Sequence, residues 1–195
     1  MALESDSRCS RKHKVKVIGI LFLVFVIILI ISLIAVYTTS QKEEDTKVWK
    51  GQGTTKNLQE IVLGRCYNYL AMNPSIGVKD CNGIWQAFTD AVYKKNQCNI
   101  TEDDYASLAT LASQMIPCNK SLLWSKTNSL VHRYTKASQD FITLEDTFLG
   151  SMFDGLMWCG KLSSTGMNLD SCPAWDECDQ NPISSFWKKA SATVS

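Results

Sequence analysis

Cysteine, carboxylate and indole side chains are the groups in this sequence whose type and spacing can do chemistry. Eight cysteines occur, and seven of them (Cys66, Cys81, Cys98, Cys118, Cys159, Cys172 and Cys178) lie in the second two-thirds of the chain. No CxxC pair is present and only His132 accompanies these seven, so disulfide chemistry is expected there and a metal site is not. Seven is odd, which requires at least one cysteine that is free, intermolecular or missing its partner. Two N-x-[ST] sequons, Asn99-Ile100-Thr101 and Asn119-Lys120-Ser121, fall in the same region and mark glycosylation acceptors if that region is secreted. Adjacent acids at Glu145-Asp146 suit either a site or the first turn of a helix, where negative charge is favourable. Trp124 and Trp187 could likewise be stacking plates or core.

Charge narrows the function classes. Twenty basic and 19 acidic side chains give a net charge of +1, which offers no electrostatic case for a nucleic-acid partner. The distribution is uneven. Arg8, Arg11, Lys12, Lys14 and Lys16 precede an uncharged run from Val17 to Val36, and a mixed set (Lys42, Glu43, Glu44, Asp45, Lys47) follows it. Twenty helical residues span about 30 Å, the thickness of a bilayer core. The run is longer than the apolar region of a cleaved signal peptide and ends in AVYTTS, a poor cleavage site. The expected organisation is a cytoplasmic basic tail over 1–16, a signal-anchor helix over 17–37, an extracellular stalk over 38–57 and an ectodomain over 58–195. The positive-inside rule makes this a type II plasma-membrane protein, with its C-terminus outside. Cys9, on the cytosolic side, stays reduced or becomes palmitoylated.

The elements that must position the chemistry are mostly helices. Leu58, Ile61, Val62, Arg65, Cys66 and Tyr69 recur at helical spacing up to Asn73-Pro74. Ile84, Trp85, Phe88, Ala91 and Val92 predict a second helix. A third opens at Thr101, with Asp104 three residues on in an acidic variant of the capping box, and ends at Pro117. Its buried face is expected to be Tyr105, Leu108, Leu111, Ala112 and Met115. Residues 121–125 read as a short strand or extended turn. Helices follow over 127–138, 144–157 and 182–192, the last bearing Phe186 and Trp187.

Five ordered segments resemble the ADP-ribosyl cyclase family. They are Cys118-Asn-Lys-Ser-Leu-Leu-Trp124-Ser125, Phe141-Ile-Thr-Leu-Glu145-Asp146-Thr147, Trp158-Cys159-Gly160, Ser171-Cys172-Pro173-Ala174-Trp175, and Asn181-Pro182-Ile183-Ser184-Ser185-Phe186-Trp187-Lys188. The similarity runs from about Trp49 to Ser191, and the anchor and basic tail suit the type II glycoproteins of the family. The resemblance implies a mainly α, disulfide-stapled first domain of an α+α/β fold whose second α/β domain is missing, behind one transmembrane helix. It implies pairing of Cys66 with Cys81, Cys98 with Cys178 and Cys159 with Cys172. Cys118 is left to pair with a cysteine beyond the chain end.

The implied activity is cleavage of the nicotinamide–ribose bond of NAD or NADP, giving nicotinamide with ADP-ribose or cyclic ADP-ribose. NAD is then a substrate, and no cofactor or metal is expected. On the family pattern Trp124 and Trp187 line the pocket as paired indoles. Glu145 contacts nicotinamide and tunes the cyclase-to-hydrolase balance, Asp154 is a pocket acid, and Ser125 meets the phosphate or ribose side. Lys126 stands where relatives often carry Arg, which keeps a cation but loses bidentate phosphate contact. The family's essential glutamate, in a segment of the type Thr-Phe-Gly-Ser-Val-Glu, lies beyond the chain end. The chain therefore reads as truncated and by itself inactive. The alternative is a non-catalytic surface glycoprotein acting as a binding or receptor form. A homodimer, a disulfide-linked oligomer through Cys118 and an extracellular protein ligand are the further partners this architecture allows.

Overall fold

The computed structural model describes residues 4–45, 47–117, 120–122, 131, 133–135, 137 and 141–193. Two units result, Met1–Thr46 and Lys47–Ser195. The first is a single helix, α1 (Glu4–Asp45), of 42 residues or about 63 Å at 1.5 Å per residue. Its stretch from Gly19 to Glu43 is long and apolar enough to cross a membrane. The side chains there face outward, with Phe22 68% and Leu33 69% exposed. Within the helix Ser32 Oγ donates to the Ile28 carbonyl at 2.8 Å and Thr39 Oγ1 to that of Ala35 at 3.0 Å. Hydrocarbon demands such internal pairing of every polar group.

The second unit is helical, with four two-residue strands among its described residues. Helix α2 (Leu58–Met72) packs on α3 (Cys81–Val92), and α3 on α4 (Ala106–Leu111). Helix α5 (Phe148–Phe153) packs against α2, and α6 (Pro182–Ala192) against α4 and α5. Strands β1 (Gly51–Gln52) and β4 (Ser171–Cys172) pair antiparallel, while β2 (Ser121–Leu122) and β3 (Ile142–Thr143) pair parallel. Three disulfides tie the elements: Cys66–Cys81 joins α2 to the start of α3, Cys98–Cys178 joins two loops, and Cys159–Cys172 anchors β4. These are the pairings the resemblance implies, each contributing about 2–4 kcal/mol through the unfolded chain. Cys118 lies outside the described residues.

Aromatic rings form the centre. Phe88, Phe153, Trp158 and Phe186 are completely or almost completely buried, with ring centroids 4.7–5.6 Å apart in tilted and edge-on pairs. Tyr105 stands edge-on to Phe186 at 5.6 Å. The Trp158 indole N–H donates to the Tyr105 hydroxyl at 3.1 Å, and that hydroxyl donates to the Pro182 carbonyl at 2.9 Å. Both polar handles are thus satisfied without water. Burial pushes the Tyr105 phenol far above its ordinary value, the Trp158 N–H offsetting only part of this.

Helices α2, α3 and α6 match the spacing read from the sequence, but three other expectations need correction. The stalk over 38–57 is not extended: α1 runs to Asp45, and residues 49–55 belong to the second unit. Trp49 is buried and its backbone N–H donates to Ser171 Oγ at 3.0 Å, β1 pairs with β4, and Thr54 Oγ1 accepts from the Cys159 N–H at 3.1 Å. These partners lie more than 100 residues away, so no local pattern announces them. The third helix is a 3₁₀ turn, Asp103–Tyr105, followed only by α4. Tyr105, Leu108 and Ala112 are buried as expected, but Leu111 is 43% and Met115 96% exposed. Helical geometry stops at Leu111, so beyond it three- and four-residue spacing no longer maps onto one face. The helix expected over 144–157 is only α5. Leu144–Asp146 is a turn, Thr147 caps the helix through its hydroxyl, and Gly155 at φ 69° ends it in the left-handed conformation. Glu145 and Asp146 therefore precede the helix and are not its first-turn acids. Val131, 133–135 and Ala137 are helical, and the rest of the helix expected over 127–138 falls outside the described residues.

Candidate functional site

Of the pocket residues expected from the sequence, Glu145, Asp154 and Trp187 are described. Trp124, Ser125 and the sequon residue Asn119 lie outside the described residues.

Glu145 sits half-buried in the turn between β3 and α5. The turn is tightly specified. Thr143 Oγ1 donates to the Asp146 carboxylate at 2.6 Å, and the Asp146 N–H returns to the Thr143 carbonyl at 3.1 Å. The Thr147 hydroxyl both donates to the Leu144 carbonyl at 2.7 Å and accepts the Gly150 N–H at 3.1 Å, closing the turn onto the start of α5. Gly150 is required there. A Cβ at that position would strike the Leu144 carbonyl and stand 3.1 Å from the Glu145 Cα. From the other side Gln114 Oε1 accepts the Phe148 N–H at 2.7 Å, an otherwise orphaned donor of the first helical turn. Tyr69 on α2 donates its hydroxyl to the Asp146 carbonyl at 2.8 Å, and its ring lies 5.4 Å from that of Phe148. Burial raises the Tyr69 phenol above its ordinary value, so it remains a donor at neutral pH.

Asp154 ends α5 with its side chain exposed. Its backbone is held from α2. Arg65 Nη1 donates to the Asp154 carbonyl at 2.6 Å, with Ser151 and Met152 carbonyls at 3.3 and 3.4 Å. A guanidinium on the last carbonyls of a helix satisfies acceptors the helix cannot and complements its dipole. One charged residue in the apolar stripe of α2 was the sequence signal for this contact. Gln114 gave no such signal.

Trp187 lies half-buried on α6, edge-on to Phe186 at 5.1 Å and packed on the core margin. Asn181 fixes the start of that helix: its Oδ1 accepts the Ile183 N–H at 2.9 Å, and its Nδ2 donates to the Pro173 carbonyl at 2.8 Å. Packing of α6 on α5 makes the elements bearing Trp187 and Asp154 neighbours. Strands β2 and β3 run parallel in the register Ser121↔Ile142 and Leu122↔Thr143. The β3 end of this pair leads directly into the turn that carries Glu145.

The sequon residue Asn99 is exposed, beside the Cys98–Cys178 disulfide. Among the described residues no three His, Cys, Asp or Glu side chains cluster as a metal site. Three described grooves, of about 280–470 Å³, lie elsewhere, along α3 at Trp85 and Tyr93 and between Asp103 and Lys188.

Comparison with known proteins bears on this arrangement. Residues 55–195 match the sequence profile described as ADP-ribosyl cyclase. The chain is 49% identical over 142 residues to rat ADP-ribosyl cyclase/cyclic ADP-ribose hydrolase 1, covering 72% of this chain and 47% of that protein. It is 42% identical over 184 residues to the mouse protein of the same name, covering 93% and 59%. Among solved structures it resembles porcine CD38 carrying a covalent intermediate, with TM-score 0.71, 45% identity and coverage of 74% and 63%. It also resembles Aplysia cyclase complexed with the substrate NGD and the product cGDPR, with TM-score 0.63, 32% identity and coverage of 72% and 57%. The chain spans about half the length of the curated relatives it matches. The profile spans the turn, α5 and α6, and with the identities and the shared fold it shows that the chain belongs to the ADP-ribosyl cyclase family.

Proposed function

We propose that the protein cleaves the nicotinamide–ribose bond of NAD or NADP, releasing nicotinamide with ADP-ribose or cyclic ADP-ribose. Departure of nicotinamide leaves an oxocarbenium-like ribose, which a carboxylate near C1′ stabilises. A planar pyridinium favours indole faces, the role assigned to Trp124 and Trp187. Glu145 accepts from the carboxamide and biases the fate of the ribosyl group, Asp154 acts as a second pocket acid, and Ser125 meets the ribose or phosphate side. Water enters the bond that nicotinamide leaves in hydrolysis, and the adenine ring of the same molecule takes that place in cyclisation, so exclusion of water sets the ratio.

The observation that carries this reading is the turn Thr143–Asp146. Its hydrogen bonds to Thr147 and Tyr69 and its seat on Gly150 hold Glu145 in one backbone conformation, as a preorganised contact requires. The alternative reading is a non-catalytic surface form that binds a protein ligand or a second copy. In either reading the chain is a type II plasma-membrane glycoprotein, with α1 as its anchor and glycans on Asn99 and Asn119; in the enzymatic reading transfer of the ribosyl group requires no cofactor.

Nicotinamide release from NAD by cells displaying the chain, with Glu145→Gln alongside, tests the proposal. Release abolished by Glu145→Gln places a working site within the 195 residues. No release above vector-only cells, together with no binding of nicotinamide, sinks the enzymatic reading for this chain and leaves the surface form.

A further inference from the structure

We propose that Arg65 and Tyr69 are positioning residues that together set the separation of the Glu145 and Asp154 carboxylates, and through it the grip on nicotinamide; this rests on the NAD-cleaving reading above. The two residues stand four apart on α2, hence one above the other on one helix face. They grasp opposite ends of one short segment. Tyr69 binds the Asp146 carbonyl, next to Glu145, and Arg65 binds the Asp154 carbonyl itself. Between these two points lies α5, whose six residues span only about 9 Å. A helix that short is marginal alone, so its ends stay where tertiary contacts put them.

Each contact uses a side chain suited to the task. Arg65 reaches three carbonyls of the last turn from a rigid planar fork, which a flexible ammonium matches less well. Tyr69 joins its hydroxyl to the turn while its ring packs on Phe148, so both ends of the phenol fix the same junction. Gln114, on the Phe148 N–H and 3.5 Å from the Tyr69 hydroxyl, braces that junction from a third element. Helix α2 is in turn fixed by the Cys66–Cys81 disulfide, whose Cys66 neighbours Arg65 in sequence. The carboxylates are thereby referred to a rigid rod as well as to the turn itself.

Hydrogen–deuterium exchange on the full chain in detergent micelles, paired with nicotinamide titration followed by tryptophan fluorescence, tests the clamp. Tyr69→Phe removes one oxygen and keeps the ring. It should speed exchange at Asp146 and Thr147 and weaken nicotinamide binding, each by about tenfold, the scale of one net hydrogen bond. Arg65→Met should do the same at Asp154, and Arg65→Lys should recover part of the loss there, while amides of α3 keep their wild-type rates. Unchanged exchange across 144–154 overturns the proposal, and so does faster exchange with unaltered nicotinamide affinity. Should Arg65→Met unfold the chain, Tyr69→Phe still decides. A wild-type chain that binds no nicotinamide at all overturns the NAD reading and the ligand half of this proposal, and the exchange pattern then decides the clamp separately.

Discussion

Tyr105 shows how one hydroxyl can hold three elements. It accepts from the Trp158 indole and donates to Pro182, at the first position of α6. Tyr105→Phe keeps the ring but orphans a buried N–H and a buried carbonyl. The expected loss is about 1–3 kcal/mol, seen as a fall of several degrees in a thermal melt of the wild-type and variant chains. Asp104 gives a pH signature at the same scale. Its partial burial favours the neutral acid, but the Lys95 ammonium at 2.6 Å and the Thr101 amide at 2.7 Å outweigh this and hold its carboxyl below the ordinary 3.8. A folded-state value below the unfolded one adds stability above pH 3.8, and that stability is lost as the pH falls through 3.8 and below. Asp104→Asn should lower the melting temperature at pH 7 and make it less sensitive to acid; melts at pH 7 and pH 3 that show no difference between the two chains would refute this.

At the scale of elements, the short helices depend on their caps. Thr147 and Asn181 satisfy orphan N–H groups at the starts of α5 and α6. Thr147→Ala removes the cap and leaves the Leu144 carbonyl with only the backbone N–H of residue 147 at 3.3 Å, so it should cost about 1–2 kcal/mol. Urea titration of the wild-type and variant chains measures this, and an unchanged midpoint would show that tertiary packing alone defines the turn. Which elements were legible follows the same logic. Residues Leu58 to Tyr69, Ile84 to Val92 and Pro182 to Ala192 keep helical spacing over more than two turns each, and Asn-Pro marks two of their boundaries. Residues 144–157 carry acids and apolar side chains that also suit a helix, yet the chain turns there. Thr147, Gly155 and the distant Gln114 and Tyr69 decide the boundary, and two of those four lie on other elements.

At the scale of the molecule, the apolar α1 and the disulfide-bonded unit suit different solvents. Carbonate extraction of cells expressing the chain should leave it in the membrane pellet, and glycosidase digestion should shift its mobility. Asn99→Gln should remove part of that shift, because Asn99 is exposed. A chain that carbonate releases and that glycosidase leaves unshifted would argue against the type II arrangement.

Local sequence by itself determined the long apolar helix, the three amphipathic helices and the family resemblance, because periodicity and ordered motifs need only near neighbours in the chain. Disulfide pairs were legible only through that resemblance, since spacing alone leaves several pairings open. Tertiary structure decided that residues 49–55 join a fold whose partners lie over 100 residues away, and that Glu145 stands in a turn instead of on a helix. It also decided that α2 holds both Asp146 and Asp154. The physical reason is common to all three: each conformation is stabilised by a hydrogen bond whose donor or acceptor comes from elsewhere in the chain, and such a bond exists only once the chain has folded.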